Sequence, residues 1–111
     1  MKSFTDLEQS KKLAEILQLE SADMYWWSSG KEYYIEAIDD GDFIENRDIR
    51  AWSLAALLDV LDFPALTQED ENEWEVCVQD YNNDGYIEVS ADNPVDACVG
   101  MIIKLNEQKL L

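Results

Sequence analysis

The chain has 111 residues, of which 47% are apolar, and 25 acidic against 8 basic side chains give it a formal net charge of −17. This length suits one domain over residues 1–111 that buries its core without disulfide or metal support, and four Trp, five Tyr and three Phe exclude a disordered acidic tail. The chain has no His, which excludes Ser/His/Asp and Cys/His catalytic centres, and its charge repels nucleic acid phosphates and anionic lipid.

The first predicted element is a helix over residues 5–17. Thr5 and Glu8 have the spacing of a capping box. Apolar residues recur along one side of this helix. They are Leu7, Leu13, Ala14, Ile16 and Leu17.

A β-hairpin is predicted next, from residues 24–27 and 33–38. Both runs are rich in aromatic and β-branched side chains, and the Ser-Ser-Gly-Lys segment between them supplies turn chemistry. Alternation places Trp26 and Trp27 on opposite faces of the first strand, so at most one ring can join a given binding surface. Core packing is expected for the other.

Two acidic segments flank the second predicted helix. Residues 39–48 are too acidic and too irregular in period for a regular element and are predicted to form a loop. Residues 51–61 are predicted to be helical because leucines form an apolar stripe that ends before Pro64. Residues 68–72 form the second predicted acidic loop.

A second hairpin is predicted from residues 74–79 and 86–90. Trp74, Val76 and Val78 alternate with more polar positions, which indicates a strand with one wetter face. The Asn-Asp-Gly segment at 83–85 provides the turn. In the returning strand the apolar positions are Ile87 and Val89.

The last predicted helix starts at Pro94. Asn93 can cap it, Pro94 stands where a missing N–H costs nothing, and Asp96 places negative charge at the positive end of the helix dipole. Its apolar stripe predicts docking on the sheet. The stripe consists of Val95, Cys98, Val99, Ile102 and Leu105.

The predicted fold is therefore α+β, with the order α-β-β-α-β-β-α. We expect a four-stranded antiparallel sheet packed with helices, in an arrangement similar to an α/β/α sandwich. The carboxylates should lie outside this core.

Residues 80–88 match the start of an EF-hand-type calcium loop, in which oxygen ligands alternate around a glycine bend. The candidate ligands are Asp80, Asn82, Asp84 and Glu88. Two features depart from the pattern: Ala91 stands where the bidentate Glu is needed, and the flanking segments are predicted strands. A hairpin turn explains the same Asn, Asp and Gly residues equally well.

Catalysis has little support in the sequence. Clustered carboxylates in the first acidic loop resemble a sugar-cleaving or magnesium site, but such clusters are more often simply solvated. They are Asp39, Asp40, Asp42 and Glu45. No phosphate-binding glycine loop and no basic patch interleaved with aromatic residues occurs. The sequence therefore assigns no catalytic, cofactor-binding or metal-ligating residue.

Cysteine use and hydropathy indicate the compartment. Cys77 and Cys98 match neither a disulfide framework nor a zinc pattern, so two buried free thiols are expected. The N-terminus has no apolar signal core, and no run approaches the roughly 20 apolar residues that span a bilayer. We expect a cytoplasmic protein that does not contact membranes.

Three segments carry a resemblance to a known family. They are residues 51–58 (Ala-Trp-Ser-Leu-Ala-Ala-Leu-Leu), 74–78 (Trp-Glu-Val-Cys-Val) and 91–98 (Ala-Asp-Asn-Pro-Val-Asp-Ala-Cys). From Ala51 onward the chain resembles small proteins of phages and prophage-like elements, similar to those grouped as the phage ABA sandwich domain. The resemblance implies an antiparallel sheet between helical layers, and it brings no catalytic or ligand-binding residue with it.

These observations predict a non-enzymatic accessory protein of a phage or mobile element that binds a protein partner, basic in charge, through an acidic surface. Residues 39–48 and 69–75 are the first candidates for that surface. A sharper version is nucleic acid mimicry, in which carboxylates occupy the basic groove of a nuclease or repressor, with no direct nucleic acid binding. The alternative is a calcium-stabilised binding module built on residues 80–88.

Overall fold

The computed structural model describes residues 1–39, 41–42 and 44–111. Within these residues the regular elements are three α-helices and six β-strands, with a short 3-10 turn at Leu19–Ser21. In chain order they are α1 (Leu7–Ile16), β1 (Met24–Ser28), β2 (Tyr33–Ala37), β3 (Ile49–Ala51), α2 (Leu54–Val60), β4 (Ala65–Asp70), β5 (Glu73–Asp80), β6 (Gly85–Ala91) and α3 (Pro94–Glu107). The mixed α+β class is confirmed.

The strands form two antiparallel sheets of three strands, ordered β2-β1-β3 and β4-β5-β6. The prediction of one four-stranded sheet and of the order α-β-β-α-β-β-α is therefore wrong. Both predicted hairpins exist, but each is completed by a third strand of its own, β3 or β4. Because β3 has only three residues and β4 is a largely exposed edge strand with polar side chains, neither shows a clear alternation of apolar residues.

The first helix begins later than its predicted cap. Asp6 caps α1, and a capping box joins it to Gln9, whose backbone N–H donates to Asp6 Oδ1 at 2.8 Å. Thr5 lies outside the helix and is fully buried. The predicted pair of Thr5 and Glu8 is thus wrong by one residue.

The other two helices begin at Ser and Asn caps. Ser53 caps α2 through Ala56 N–H, so Ala51, predicted to be helical, belongs to β3 instead. Asn93 caps α3 through Asp96 N–H at 2.8 Å, with Pro94 as the first helical residue, which confirms the predicted start of that helix.

The core lies where α3 packs on β5 and β6 while α1 and α2 pack against α3. Its largest fully buried apolar side chains are Trp52, Leu13, Leu57, Met101, Ile102, Val76 and Val95. Gly100 allows α3 to approach the sheet closely, since an added Cβ would lie 2.9 Å from Val89 Cγ1. Among the described residues, no helix is long and apolar enough to cross a membrane.

Candidate partner-binding surface

The sheet β4-β5-β6 has one face under α3 and one face toward solvent. Val76 and Val78 of β5 and Ile87 of β6 point toward α3 and are buried. The opposite face, here called the open face, consists of Ala65, Thr67, Glu75, Cys77, Gln79, Tyr86, Glu88 and Ser90. Only Glu75 and Cys77 of this set are half-buried, and the rest are exposed. The wetter side predicted for the first strand of this hairpin is part of this face.

The open face carries two carboxylates, Glu75 and Glu88, and no Lys or Arg, and further acids lie in the segments beside it. Residues 65–91 contain eight Asp or Glu and no Lys or Arg. Partial burial, together with the carboxylates of Glu88, Glu69 and Glu73, raises the pKa of Glu75. Like charges therefore accumulate here, at the predicted segment 69–75 and across the strands beside it.

The first acidic segment, residues 39–48, is organised differently. Asp42 and Asp48 accept hydrogen bonds from the backbone N–H groups of Asp39 and Glu45, and the Arg47 guanidinium forms an ion pair with Glu45. Its acids are thus partly used in local turns and partly neutralised. The candidate Asp40 lies outside the described residues.

The aromatic run of β1 is divided between two faces, as alternation predicts. Trp26 packs edge-on against Phe4 with ring centroids 5.8 Å apart, and its Nε1 donates to the Thr5 carbonyl oxygen at 3.1 Å. Trp27 packs on Tyr34 at 4.9 Å on the other side. Both rings are half-buried, so neither forms a freely exposed binding platform.

Of the residues proposed to bind calcium, Asp80, Asn82 and Asp84 lie at the turn between β5 and β6, and Glu88 lies farther along β6 on the open face. The Asp80 carboxylate accepts hydrogen bonds from Asn82 N–H, Asn83 N–H and Asn83 Nδ2 at 3.0–3.2 Å. These donors, the Asn83 side chain foremost, lower the pKa of Asp80. In the described part of the chain, no group of three or more His, Cys, Asp or Glu side chains is placed to hold a metal ion. The arrangement is that of an Asx-type turn that closes a hairpin.

The groups with potential for chemistry lie apart from one another or are already engaged. Cys98 is buried, which raises its pKa to about 11, and partial burial beside Glu88 and Glu75 raises the pKa of the half-buried Cys77 thiol. Neither thiol has the lowered pKa of a nucleophilic cysteine. Asp80 and Glu88 line one open groove of about 590 Å³ together with Lys104, but the Asp80 carboxylate is already satisfied by the turn.

Comparison with protein families, with curated proteins and with solved structures finds no match for this chain. The resemblance to the phage ABA sandwich domain therefore stays a prediction.

Proposed function

We propose that this protein has no chemistry of its own and binds a basic protein partner through the open face of the sheet β4-β5-β6. The observation that carries the proposal is that residues 65–91, which form this sheet and its turns, contain eight Asp or Glu and no Lys or Arg. The resemblance to phage and prophage proteins supports the further proposal that it is an accessory protein of such an element.

Electrostatics favours a basic partner for two reasons. The carboxylates of Glu75 and Glu88, with the acidic residues of the segment 69–73 at the end of the same sheet, produce a negative potential that steers cations toward the open face and speeds association. The pKa of Glu75 is raised by partial burial and by the charges of neighbouring Glu residues, and the partner's Lys or Arg side chains would relieve the second of these effects. The open face therefore gains from an oppositely charged partner.

Nucleic acid mimicry is a more specific form of the same proposal. Alternate residues of a strand, such as Glu73 and Glu75 on β5, are separated by about 7 Å, which is close to two 3.4 Å steps along one strand of DNA. A partner with a DNA-binding groove would then lose its DNA in proportion to the added protein. Competition with a labelled duplex tests this form.

The proposal is tested with two double variants that change net charge equally. Glu75→Gln with Glu88→Gln removes charge from the open face, whereas Glu8→Gln with Glu15→Gln removes it from exposed positions of α1. Each form is used for affinity capture from a bacterial lysate, and the captured proteins are quantified by mass spectrometry.

We expect a basic protein that wild type and the α1 variant capture equally and that the open-face variant captures at least about tenfold less, a loss of about 1.4 kcal/mol. Equal losses in both variants would show that net charge alone drives the capture. That result, or the recovery of no basic protein, contradicts the proposal.

A further inference from the structure

An apolar cavity of about 340 Å³ opens where the ends of α2 and α3 meet β5. Its apolar lining includes Val60, Leu61, Val78, Leu105 and Leu110. The volume falls within the range of pockets that receive ligands or the anchoring side chains of partners. The cavity lies at the end of the core and is open to solvent.

The rim of this cavity exposes large apolar side chains. Tyr81 and Leu111 line it with 67% and 48% of their surface exposed, and Phe63, the residue after the lining Asp62, is 89% exposed. Exposed apolar surface at an apolar opening is typical of an interaction site, and here Tyr81 and Leu111 belong to the lining while Phe63 is its neighbour in sequence.

Phe63 also has an unfavourable backbone. Its φ of 47° lies in the left-handed region, which costs free energy for a bulky residue and which Gly or Asn adopts more readily. If this position only had to form a turn before Pro64, Gly or Asn would form it at a lower cost in free energy. The strained backbone of Phe63 and the exposure of its ring together indicate that the ring contacts a partner at the surface.

The cavity is continuous with the open face. Gln79 belongs to both, and Glu75 follows about 13 Å farther along β5, at four strand rises of about 3.3 Å. Because the apolar lining is on the α3 side of the sheet, a partner segment that leaves the cavity beside Gln79 must pass around the end of β5 to reach the carboxylates of the open face.

We propose that the cavity receives one apolar side chain of the basic partner, clamped by Phe63 and Tyr81, while neighbouring Lys or Arg residues of the same segment lie along the open face. This inference rests on the proposed function. Asp62 lies at the rim, close enough for its charge to raise the pKa of Tyr81, so a cation beside the anchor is favoured. A second copy is disfavoured as the occupant, because it would bring a net charge of −17 against −17.

The test uses a defined peptide, acetyl-Lys-Lys-Gly-Leu-Gly-Lys-Lys-amide, with two relatives in which Leu is replaced by Ser or every Lys by Glu. Binding to the full chain is followed by NMR of methyl groups. We expect the Leu peptide to shift the methyl signals of Leu61, Val78 and Leu105 and to bind at least fivefold more tightly than the Ser and Glu peptides.

Two variants separate binding from folding. Phe63→Asn keeps a residue suited to the left-handed backbone, so the melting temperature should not fall, while affinity for the Leu peptide should drop at least fivefold. Tyr33→Ser removes a ring that is 44% exposed on β2, in the other sheet, and should leave the affinity unchanged.

Equal binding of the Leu and Ser peptides, or no binding of any peptide, overturns the inference. So does a dimer in sedimentation that Phe63→Asn dissociates, since the occupant would then be a second copy. Failure of the proposed function has a different signature: the Leu and Glu peptides bind equally while the preference for Leu over Ser is kept.

Discussion

The hydroxyl group of Thr5 is hydrogen-bonded on two sides in the interior of the protein. Its Oγ1 lies 2.8 Å from Ser10 Oγ and accepts from Trp52 N–H at 3.1 Å. The Thr5 backbone N–H in turn donates to the Trp52 carbonyl oxygen at 3.0 Å. All three residues are fully buried, so this cluster attaches the N-terminal segment to the core around the Trp52 ring.

Replacing Thr5 by Val should therefore destabilise the protein through lost hydrogen bonds at nearly constant side-chain volume. Trp52 N–H and Ser10 Oγ would lose a buried partner, which costs about 1–3 kcal/mol of unfolding free energy. Urea denaturation measures the change. Thr67→Val at the exposed edge strand β4 is the control and should change stability by less than about 0.5 kcal/mol. Equal effects of the two substitutions would contradict the role of the cluster.

Thr5 also shows the limit of residue-level prediction. Two pairs, Thr5 with Glu8 and Asp6 with Gln9, share the spacing and side-chain types of a capping box. The choice between them depends on whether Thr5 is buried against Trp52, which lies 47 positions away in the chain. A local pattern contains no information about that contact. For α3, by contrast, the sequence offers one capping pattern, with Asn93 before Pro94, and the predicted start of that helix is correct.

The hairpin of β5 and β6 is held by its turn as well as by its strands. Asp80 pairs with Gly85 at the end of the ladder, and its carboxylate gathers the N–H groups of Asn82 and Asn83. Asp84 takes a φ of 56°, which Asp tolerates better than most residues. The oxygens of Asp80 that a calcium ion would need are thus engaged within the turn.

We expect millimolar calcium to leave the melting temperature unchanged and Asp80→Ala to lower it with or without calcium. A ligand that binds only the folded state must stabilise it, so a thermal scan in calcium and in chelator decides between the turn and the calcium module. A higher melting temperature in calcium that Asp80→Ala abolishes would favour the calcium module instead.

At the scale of elements, local signals predicted hairpins but could not assign them to sheets. Trp74, Val76 and Val78 alternate clearly with polar neighbours, and this strand is present as predicted. The strand on its other edge, β4, contains Gln68 and Asp70 at exposed positions and overlaps the predicted loop 68–72. Whether two hairpins share one sheet depends on such third strands, whose pairing is long-range.

At the scale of the whole molecule, charge is distributed unevenly. In the described residues, Lys2 and Arg47 are the cations in ion pairs with carboxylates, both in the N-terminal half. The C-terminal sheet has no counterion from its own sequence. Composition predicted the excess of negative charge, but the open face could be located only once the register of β5 and β6 was known.

This distribution predicts that stability peaks at mildly acidic pH. The pKa of Glu75 is raised above its ordinary value of 4.5, so the folded state binds a proton more readily than the unfolded state, and stability rises as pH falls through the raised pKa toward 4.5. The pKa of Asp80 is lowered from 3.8 by its turn donors, so its contribution is present above that value and is lost as pH falls below it.

Melting temperatures measured from neutral pH downward should therefore rise as pH approaches 4.5 and fall once pH drops below 3.8. Glu75→Gln should reduce the rise, because it removes one of the groups responsible, and about 1 M NaCl should reduce it further by screening the carboxylates to within about 3 Å. Glu15→Gln, an exposed change of equal charge on α1, is the control and should leave most of the rise intact. A melting temperature that falls steadily from neutral pH to 4.5 would show that repulsion on the open face does not limit stability.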